Sequence, residues 1–496
     1  MLTRFRVNGF KNLVDVDLHF GPFTCIAGLN AVGKSNLFDA LMFFGSLAEL
    51  SFVEAATKVR DDQGRSSDIR SLFYSSGGNR SEKMVFEAEM LIPPEGTDDL
   101  GQSAKASVTF LSYSVTLRYR SAGIDGLRSS LQLEREQLTY INRGDAPKHL
   151  PFPYSRRWLK SVLRGRRTSP FISTEEESDH TIKLHQEGTS GRAKSFRAES
   201  LPRTVLSTVN AAESPTAVLA RKELQSWRLL QLEPTALRSP DSFTAPTSMS
   251  SDGQHLPATL YHLAHSVSPD TQGSADEQSV YARIGNRLAR LVDDVQGVAV
   301  ERDDTREVLT LKVEGRDGTT HAARALSDGT LRFLALAVLA EDPNAKGLLC
   351  LEEPENGIHP ERIAAMLELL SQLAVNTNDT VDDDNALRQV IINTHSPAVV
   401  AQTKSDSVLF AERVEHTKHG QHASSVSFRY LSNTWRSKLG GESGAVQRGR
   451  VMGFLTPVRT DSKEPGPRVV DYSSWRVAER PDFAQLRLEL GDQDAR

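Results

Sequence analysis

Four short stretches of this sequence carry side chains that could act together on a phosphate anhydride. Residues 28–35 read Gly-Leu-Asn-Ala-Val-Gly-Lys-Ser, which fits the G-x-x-x-x-G-K-S phosphate cradle at every fixed position. Gly28 and Gly33 let the backbone curl round an anion with no Cβ in the way. Successive N–H groups then point inward at the positive end of a following helix. Lys34 would reach the β- and γ-phosphates and the Ser35 hydroxyl would bind Mg²⁺. Asn30 and Asn36 complete the candidate ATP-binding set.

Two carboxylates, Glu352 and Glu353, close the apolar run Leu348–Leu351. Ligand-binding groups of open α/β sheets stand at the carboxyl ends of strands. Glu352 is placed to hold Mg²⁺ and Glu353 to polarise an attacking water as general base. His395 ends another apolar run, 389–393, where it would sense the γ-phosphate and orient that water. The bland alternatives are an acidic turn and a histidine capping a turn. Leu326-Ser327-Asp328-Gly329 precedes an apolar stretch. Ser327, Asp328 and Gly329 at that helix start form a second anion-binding surface, or an ordinary helix cap. If it lies on the opposite edge of the lobe from Lys34, it would serve the nucleotide of a second copy.

These groups need elements to position them. Residues 22–27 are short, apolar and β-prone, as a buried parallel strand should be. A helix follows over 36–44, with Leu37, Leu41 and Phe44 on one face. The spacing predicts strands over 347–352 and 389–393. It also predicts a helix from Pro360 to Ala374 with Ile363, Met366, Leu367, Leu370 and Leu373 inward, and one over 331–340. Residues 84–90, 114–120 and 130–141 read as antiparallel strands. Residues 146–300 mix short helices with Ser/Pro-rich loops, of which 239–253 reads as a flexible connection.

Between Ala146 and Thr174 there is no acidic residue. On a helical reading Arg156, Lys160, Arg164 and Arg167 form one stripe, backed by Trp158, Leu159, Val162 and Leu163. Such a stripe could dock on the phosphates of DNA or RNA, or on a partner protein. It could also be a solvated helix answered by Glu175, Glu176 and Glu177. His416, His419 and His422 lie between two expected strands, 407–414 and 424–430. A hairpin turn accounts for them better than a metal site, because no carboxylate or Cys accompanies them.

A chain of 496 residues with net charge −5 has ample core for two or three domains and no global basic footprint. Two cysteines exclude a disulfide framework. No apolar run is long enough to cross a bilayer, and a cytoplasmic location without membrane contact is expected.

The Asn-Ala-Val-Gly-Lys-Ser-Asn loop, Leu-Ser-Asp-Gly-Thr-Leu-Arg, Glu-Glu-Pro-Glu-Asn-Gly-Ile-His-Pro and Asn-Thr-His-Ser-Pro resemble ABC-type ATPases of the SMC/RecF-like class. More narrowly they resemble stand-alone ATPases related to overcoming-lysogenisation-defect and anti-phage proteins. The resemblance covers roughly residues 1–60 and 290–415. It implies an α/β P-loop NTPase fold of ABC/SMC-head type with an antiparallel β lobe and a large mixed, partly helical insertion. The expected division is 1–145 and 296–432 for the two parts of the ATPase core, 146–295 for the insertion and 433–496 for an extension. It also implies ATP hydrolysis with Mg²⁺ and ATP-dependent head-to-tail pairing of two copies. The role would be DNA maintenance or repair, or ATP-gated control of a separately encoded nuclease in anti-phage defence. In this class the His395 strand lies between the Cys25 and Cys350 strands, so the thiols would stand roughly 10 Å apart. Transporter-type relatives usually have Asp where this chain has Glu352, while the SMC-like branch with a Glu-Glu-Pro-Glu run tolerates Glu there, and Asp328 replaces the usual small signature residue. No glutamine is placed for the metal-sensing loop, Gln63 being a poor candidate. No strand-borne acidic cluster follows Glu415, so a nuclease domain is not expected.

Overall fold

The computed structural model describes residues 1–60, 68–76, 79–120, 130–175, 180–187, 192–265, 274–418, 421–440, 444–455 and 474–479. Gln63, Glu176, Glu177, His419 and the 462–467 stretch, whose composition reads as a linker, lie outside them, as do the terminal Asp492 and Asp494, which no expected strand precedes.

Short apolar runs ending in polar residues form the central sheet. Its strand order is Arg228–Leu230, Gly347–Glu352, Arg388–Thr394, Phe23–Ala27, Val408–Lys418 and Gln421–Tyr430. The first five are parallel, and the last returns antiparallel as a hairpin that pairs Thr417 with His422. The His395 strand therefore separates the two cysteine strands, as expected. Alternation along the strands feeds two cores. Leu348 and Cys350 point into one, Leu349, Leu351 and Cys25 into the other. The thiols are thus on opposite faces as well as two strands apart. Both are free and buried, and burial pushes the Cys25 thiol up to about 12.

The first core is roofed by an eight-stranded antiparallel sheet. Its order is Lys194–Arg197, Thr181–Leu184, Ile172–Glu175, Ser130–Tyr140, Phe110–Arg120, Lys83–Leu91, Leu2–Asn8 and Val16–His19. The helix Lys34–Ser46 is clamped between the sheets. Leu37, Leu41 and Phe44 are all buried, and Phe43 and Phe44 pack on Phe10, Phe86 and Tyr113 with ring centroids 5.3–5.9 Å apart. On the outer face of the roof Arg4 and Arg6 bridge Asp17 to the buried Glu89 and the half-buried Glu87 across neighbouring strands.

Strands on both sides of residue 145 share this roof, and Arg228–Leu230 joins the central sheet. Much of the expected insertion is therefore woven into the core. The Ser/Pro-rich stretch 239–253, expected to be a flexible connection, is tied down instead. Gln231 N donates to Ser251 O at 2.8 Å, Glu233 N to Asp252 O at 2.8 Å, and Met249 is buried. Composition misled there because loop backbone found partners along the emerging chain. The second core is covered by the helices Asp328–Glu341, Ile363–Leu373, Leu256–His265 and Ser274–Ala289 with a small sheet containing Val295–Asp303 and Val308–Gly315.

Candidate active site

The strand Phe23–Ala27 delivers the chain into the glycine loop, and the helix starts at Lys34. Gly28 N donates to Thr394 O at 3.3 Å, which ties the loop to the end of the His395 strand. A Cβ on Gly28 would meet Ala411 O at 2.6 Å, so no larger residue fits. Ala31 (φ 61°) and Gly33 (φ 118°) are left-handed and curl the loop into a concave turn. A Cβ on Gly33 would lie 2.3 Å from Asn12 Nδ2. Asn12 braces the loop, donating to Val32 O at 2.9 Å and accepting from Asn36 Nδ2 at 2.8 Å.

Asn30, Gly33, Lys34, Ser35 and Asn36 line one cavity of about 680 Å³ with Gln231, Arg332, Glu352, Glu353, Asn356 and Asn393. Lys34 is buried, its ammonium turned onto Gly28 O (2.7 Å) and Leu29 O (2.8 Å). Burial depresses its pKa, against the pull of Glu353, Glu355 and Glu352. Among the described residues this ammonium bonds only neutral carbonyls, which leaves its charge available to a polyanion.

Glu352 ends its strand among cationic and amide donors. Arg60 grips both its oxygens, Gln231 Nε2 donates at 2.8 Å and Asn393 Nδ2 at 3.3 Å. Burial pushes this carboxyl up, but Arg60, Ser35 and Gln231 outweigh burial and hold it below its ordinary value. Arg60 also pairs with Asp39 of the clamped helix, which Lys11 Nζ reaches at 2.7 Å. Glu353 is in the left-handed region (φ 45°), where its N–H meets Asn393 O and Oδ1 at 3.0 and 3.1 Å. His395 Nδ1 lies 2.7 Å from Glu353 Oε1, and Asn356 Nδ2 donates to Oε2 at 2.9 Å. Beneath them Glu355 is buried with Oε2 unpaired, and Thr394 Oγ1 donates to its other oxygen. Burial raises the Glu355 pKa.

Ser327, Asp328 and Gly329 do not line this cavity. Ser327 caps the helix, accepting from Thr330 N at 3.2 Å, and Arg238 pairs with Asp328. A Cβ on Gly329 would meet Gly357 O at 2.9 Å.

The basic stripe requires correction. The helix spans Arg156–Val162 and ends at Leu163, so Arg164 and Arg167 are not on it with Arg156 and Lys160. Thr109 Oγ1 takes the Arg164 N–H at 2.8 Å, and Gly165 (φ 78°) turns against Ser107 O. Arg167 stacks over Phe171, 4.1 Å from the ring centroid, and Glu175 pairs with Lys183. Trp158 and Val162 share a small core with Val375 and Leu387, just before the His395 strand. The segment therefore stands at the opposite end of the central sheet from the cavity.

Gln231, Arg60, Asn356 and Arg332 were missed from sequence. Gln231 follows a three-residue strand, too short for any periodicity to register. The strand signal Leu-Leu-Gln is legible only once that strand is seen to pair with the Glu352 strand.

Among the described residues no helix is long and apolar enough to cross a membrane. Among solved structures the chain is similar to an SMC head bound to the C-terminal winged-helix domain of ScpA (14% identical, covering 87% of this chain and 98% of that one, TM-score 0.45). It is also similar to an Smc head domain with an extended coiled coil bound to the C-terminal domain of ScpA, from Pyrococcus furiosus (12%, 86% and 96%, TM-score 0.39). A third is the SMC head domain from Thermotoga maritima (10%, 86% and 97%, TM-score 0.36). No curated protein matches the chain. With the phosphate loop, the two carboxylates and the histidine at one end of a parallel sheet, and a family model matching residues 23–401, the chain belongs to the family described as "AAA domain, putative AbiEii toxin, Type IV TA system".

Proposed function

We propose that this chain binds ATP with magnesium, hydrolyses it to ADP and phosphate, and pairs head to tail with a second copy when ATP is bound. The observation that carries the reading is the convergence of Lys34, Glu352 and Glu353 on one cavity, with His395 bonded to Glu353. A glycine cradle with no room for a Cβ, a buried ammonium, and hard oxygen donors on Ser35 and Glu352 fit a triphosphate and its magnesium. Bound magnesium supplies positive charge at the β- and γ-phosphates. Ser35 and Glu352 would hold it, with Gln231 beside them. Lys34 swings from the loop carbonyls to the phosphates. Glu353 orients a water and accepts its proton, and His395 holds Glu353 in place while facing the terminal phosphate. The Ser327–Gly329 turn serves the nucleotide of the second copy.

Lys34→Ala is expected to abolish nucleotide binding in a fluorescent-nucleotide titration. Glu353→Gln is expected to bind ATP, stall and elute as a dimer by size exclusion with ATP and Mg²⁺ but as a monomer without. A monomer under both conditions discards the shared site.

Two readings of the cellular role have separate support. Arg156, Arg157, Lys160, Arg164 and Arg166 are all exposed, which favours a nucleic-acid-associated role in maintenance or repair. The family description names a toxin of a toxin–antitoxin system, which favours a defence role, and the second reading is an ATP-gated scaffold that controls a separately encoded effector nuclease in anti-phage defence. Co-purification of a neighbouring gene product, lost in Lys34→Ala, selects the second.

A further inference from the structure

Both carboxylate oxygens of Glu353 are engaged by side chains of its own chain. His395 holds Oε1, and the Asn356 amide holds Oε2 at 2.9 Å. The second of these partners is itself held from the far side. The backbone carbonyl of Asn356 accepts from Arg332 Nη1. Arg332 lies in the helix Asp328–Glu341, one turn beyond the Ser327 cap, and its Nε is buried without a partner. The first turn of the same helix presses on the next residue: a Cβ on Gly329 would stand 2.9 Å from Gly357 O, and Gly357 turns the chain with φ 78°. Asn356 and Gly357 are therefore wedged between the helix start and the carboxylate.

We propose that Asn356 is a positioning residue that couples the Ser327–Gly329 helix to Glu353 within one copy. This rests on the ATPase reading above. Two hydrogen bonds in series, Arg332 to the Asn356 carbonyl and the Asn356 amide to Glu353, transmit any displacement of the helix start to the carboxylate. Docking of a second copy on Ser327–Gly329 would move the helix, and the Asn356 amide would move with it. That movement re-aims Oε2 toward the water while the amide keeps its hold on it. Hydrogen bonds that link a helix to a loop can take two discrete arrangements, which is what such coupling requires.

The test uses the full-length chain and steady-state ATP hydrolysis, with nucleotide affinity measured separately. Asn356→Ala should lower kcat by about tenfold and leave the nucleotide Kd within about twofold, since only an interaction with the reacting carboxylate is lost. Asn356→Asp keeps the shape and the backbone carbonyl but sets an acceptor against a carboxylate, so its kcat should fall at least as far. Arg332→Ala should lower kcat, and the double variant Arg332→Ala/Asn356→Ala should be no worse than the more damaging single, because both act through one bond. A wild-type kcat in Asn356→Asp overturns the proposal, as does a multiplicative loss in the double variant. If the wild-type chain shows no turnover and Lys34→Ala binds nucleotide normally, the ATPase reading fails and takes this proposal with it. Turnover in the wild type with an unaffected Asn356→Asp removes this proposal alone.

Discussion

Glu353 at the end of the parallel sheet and Glu136 in the antiparallel roof are both glutamates held by several donors, yet they are built for different work. Glu136 is fully buried and accepts from Val205 N at 2.7 Å, Leu206 N at 2.9 Å and Tyr113 OH at 3.0 Å. Two of those donors are backbone, so the bonds cannot be released without unfolding the loop that passes behind the phosphate-loop helix. Glu353 is held by two side chains, His395 and Asn356, at the rim of a cavity where about a third of its side chain is exposed (32%). Its partners can swing while the backbone stays put. A carboxylate bonded to backbone is architecture, and one bonded to rotatable side chains beside a cavity is equipped for chemistry.

The sharpest test of that contrast exchanges the readouts. Glu353→Gln should lower turnover by about 10²- to 10⁴-fold with little change in melting temperature. Glu136→Ala should leave turnover per folded molecule unchanged but cost about 3 kcal/mol of stability, because buried N–H groups lose their acceptor. A Glu136 variant that stays stable and loses turnover breaks the distinction. Next in size, Gln231→Ala should lower turnover about tenfold, as loss of one charge-assisted bond to Glu352 predicts. It should also raise the magnesium concentration needed for nucleotide binding, followed by fluorescence titration.

A smaller effect is the pH dependence that Glu136 brings to stability. Burial raises the Glu136 carboxyl from its usual 4.5 to about 7. The folded chain therefore holds this proton more tightly than the unfolded chain. The stabilisation is fully present below about pH 4.5 and is lost as the pH rises through about 7. Glu136→Gln cannot titrate, so its melting temperature relative to wild type should climb from pH 5 to pH 8. A constant difference would show that the carboxyl is not proton-linked to folding. The smallest effect belongs to the basic segment. Charge reversal at Arg156, Lys160 and Arg164 should change DNA-free turnover less than about twofold, because surface charges far from a site couple weakly. It should weaken any salt-dependent DNA binding measured by anisotropy.

The phosphate loop, the strand with Glu352 and Glu353, and the His395 strand were legible because each is a local pattern. An apolar run sets a buried strand, and the residue that ends it stands at the sheet edge. The antiparallel strands at 84–141 were legible in the same way, whereas the place of the His395 strand between the two cysteine strands followed only from the family resemblance. The stripe over Arg156–Arg167 was not, because helical spacing says nothing about Thr109 and Ser107, residues just before the roof strand Phe110–Arg120 that meet the chain where the helix ends at Leu163. Gln231 and Arg60 escaped because what gives them a role is a neighbour more than a hundred positions away, Glu352.

By itself the sequence determined which residue types could grip a triphosphate and which strands would carry them, since short-range steric and hydrophobic patterning dictates both. Only the tertiary structure decided which side chains hold those residues in place. Arg60 and Gln231 on Glu352, and Arg332 behind Asn356, come from distant stretches. Hydrogen bonds and ion pairs between distant segments depend on ångström-scale placement after the sheets and helices have packed, and no local pattern encodes that.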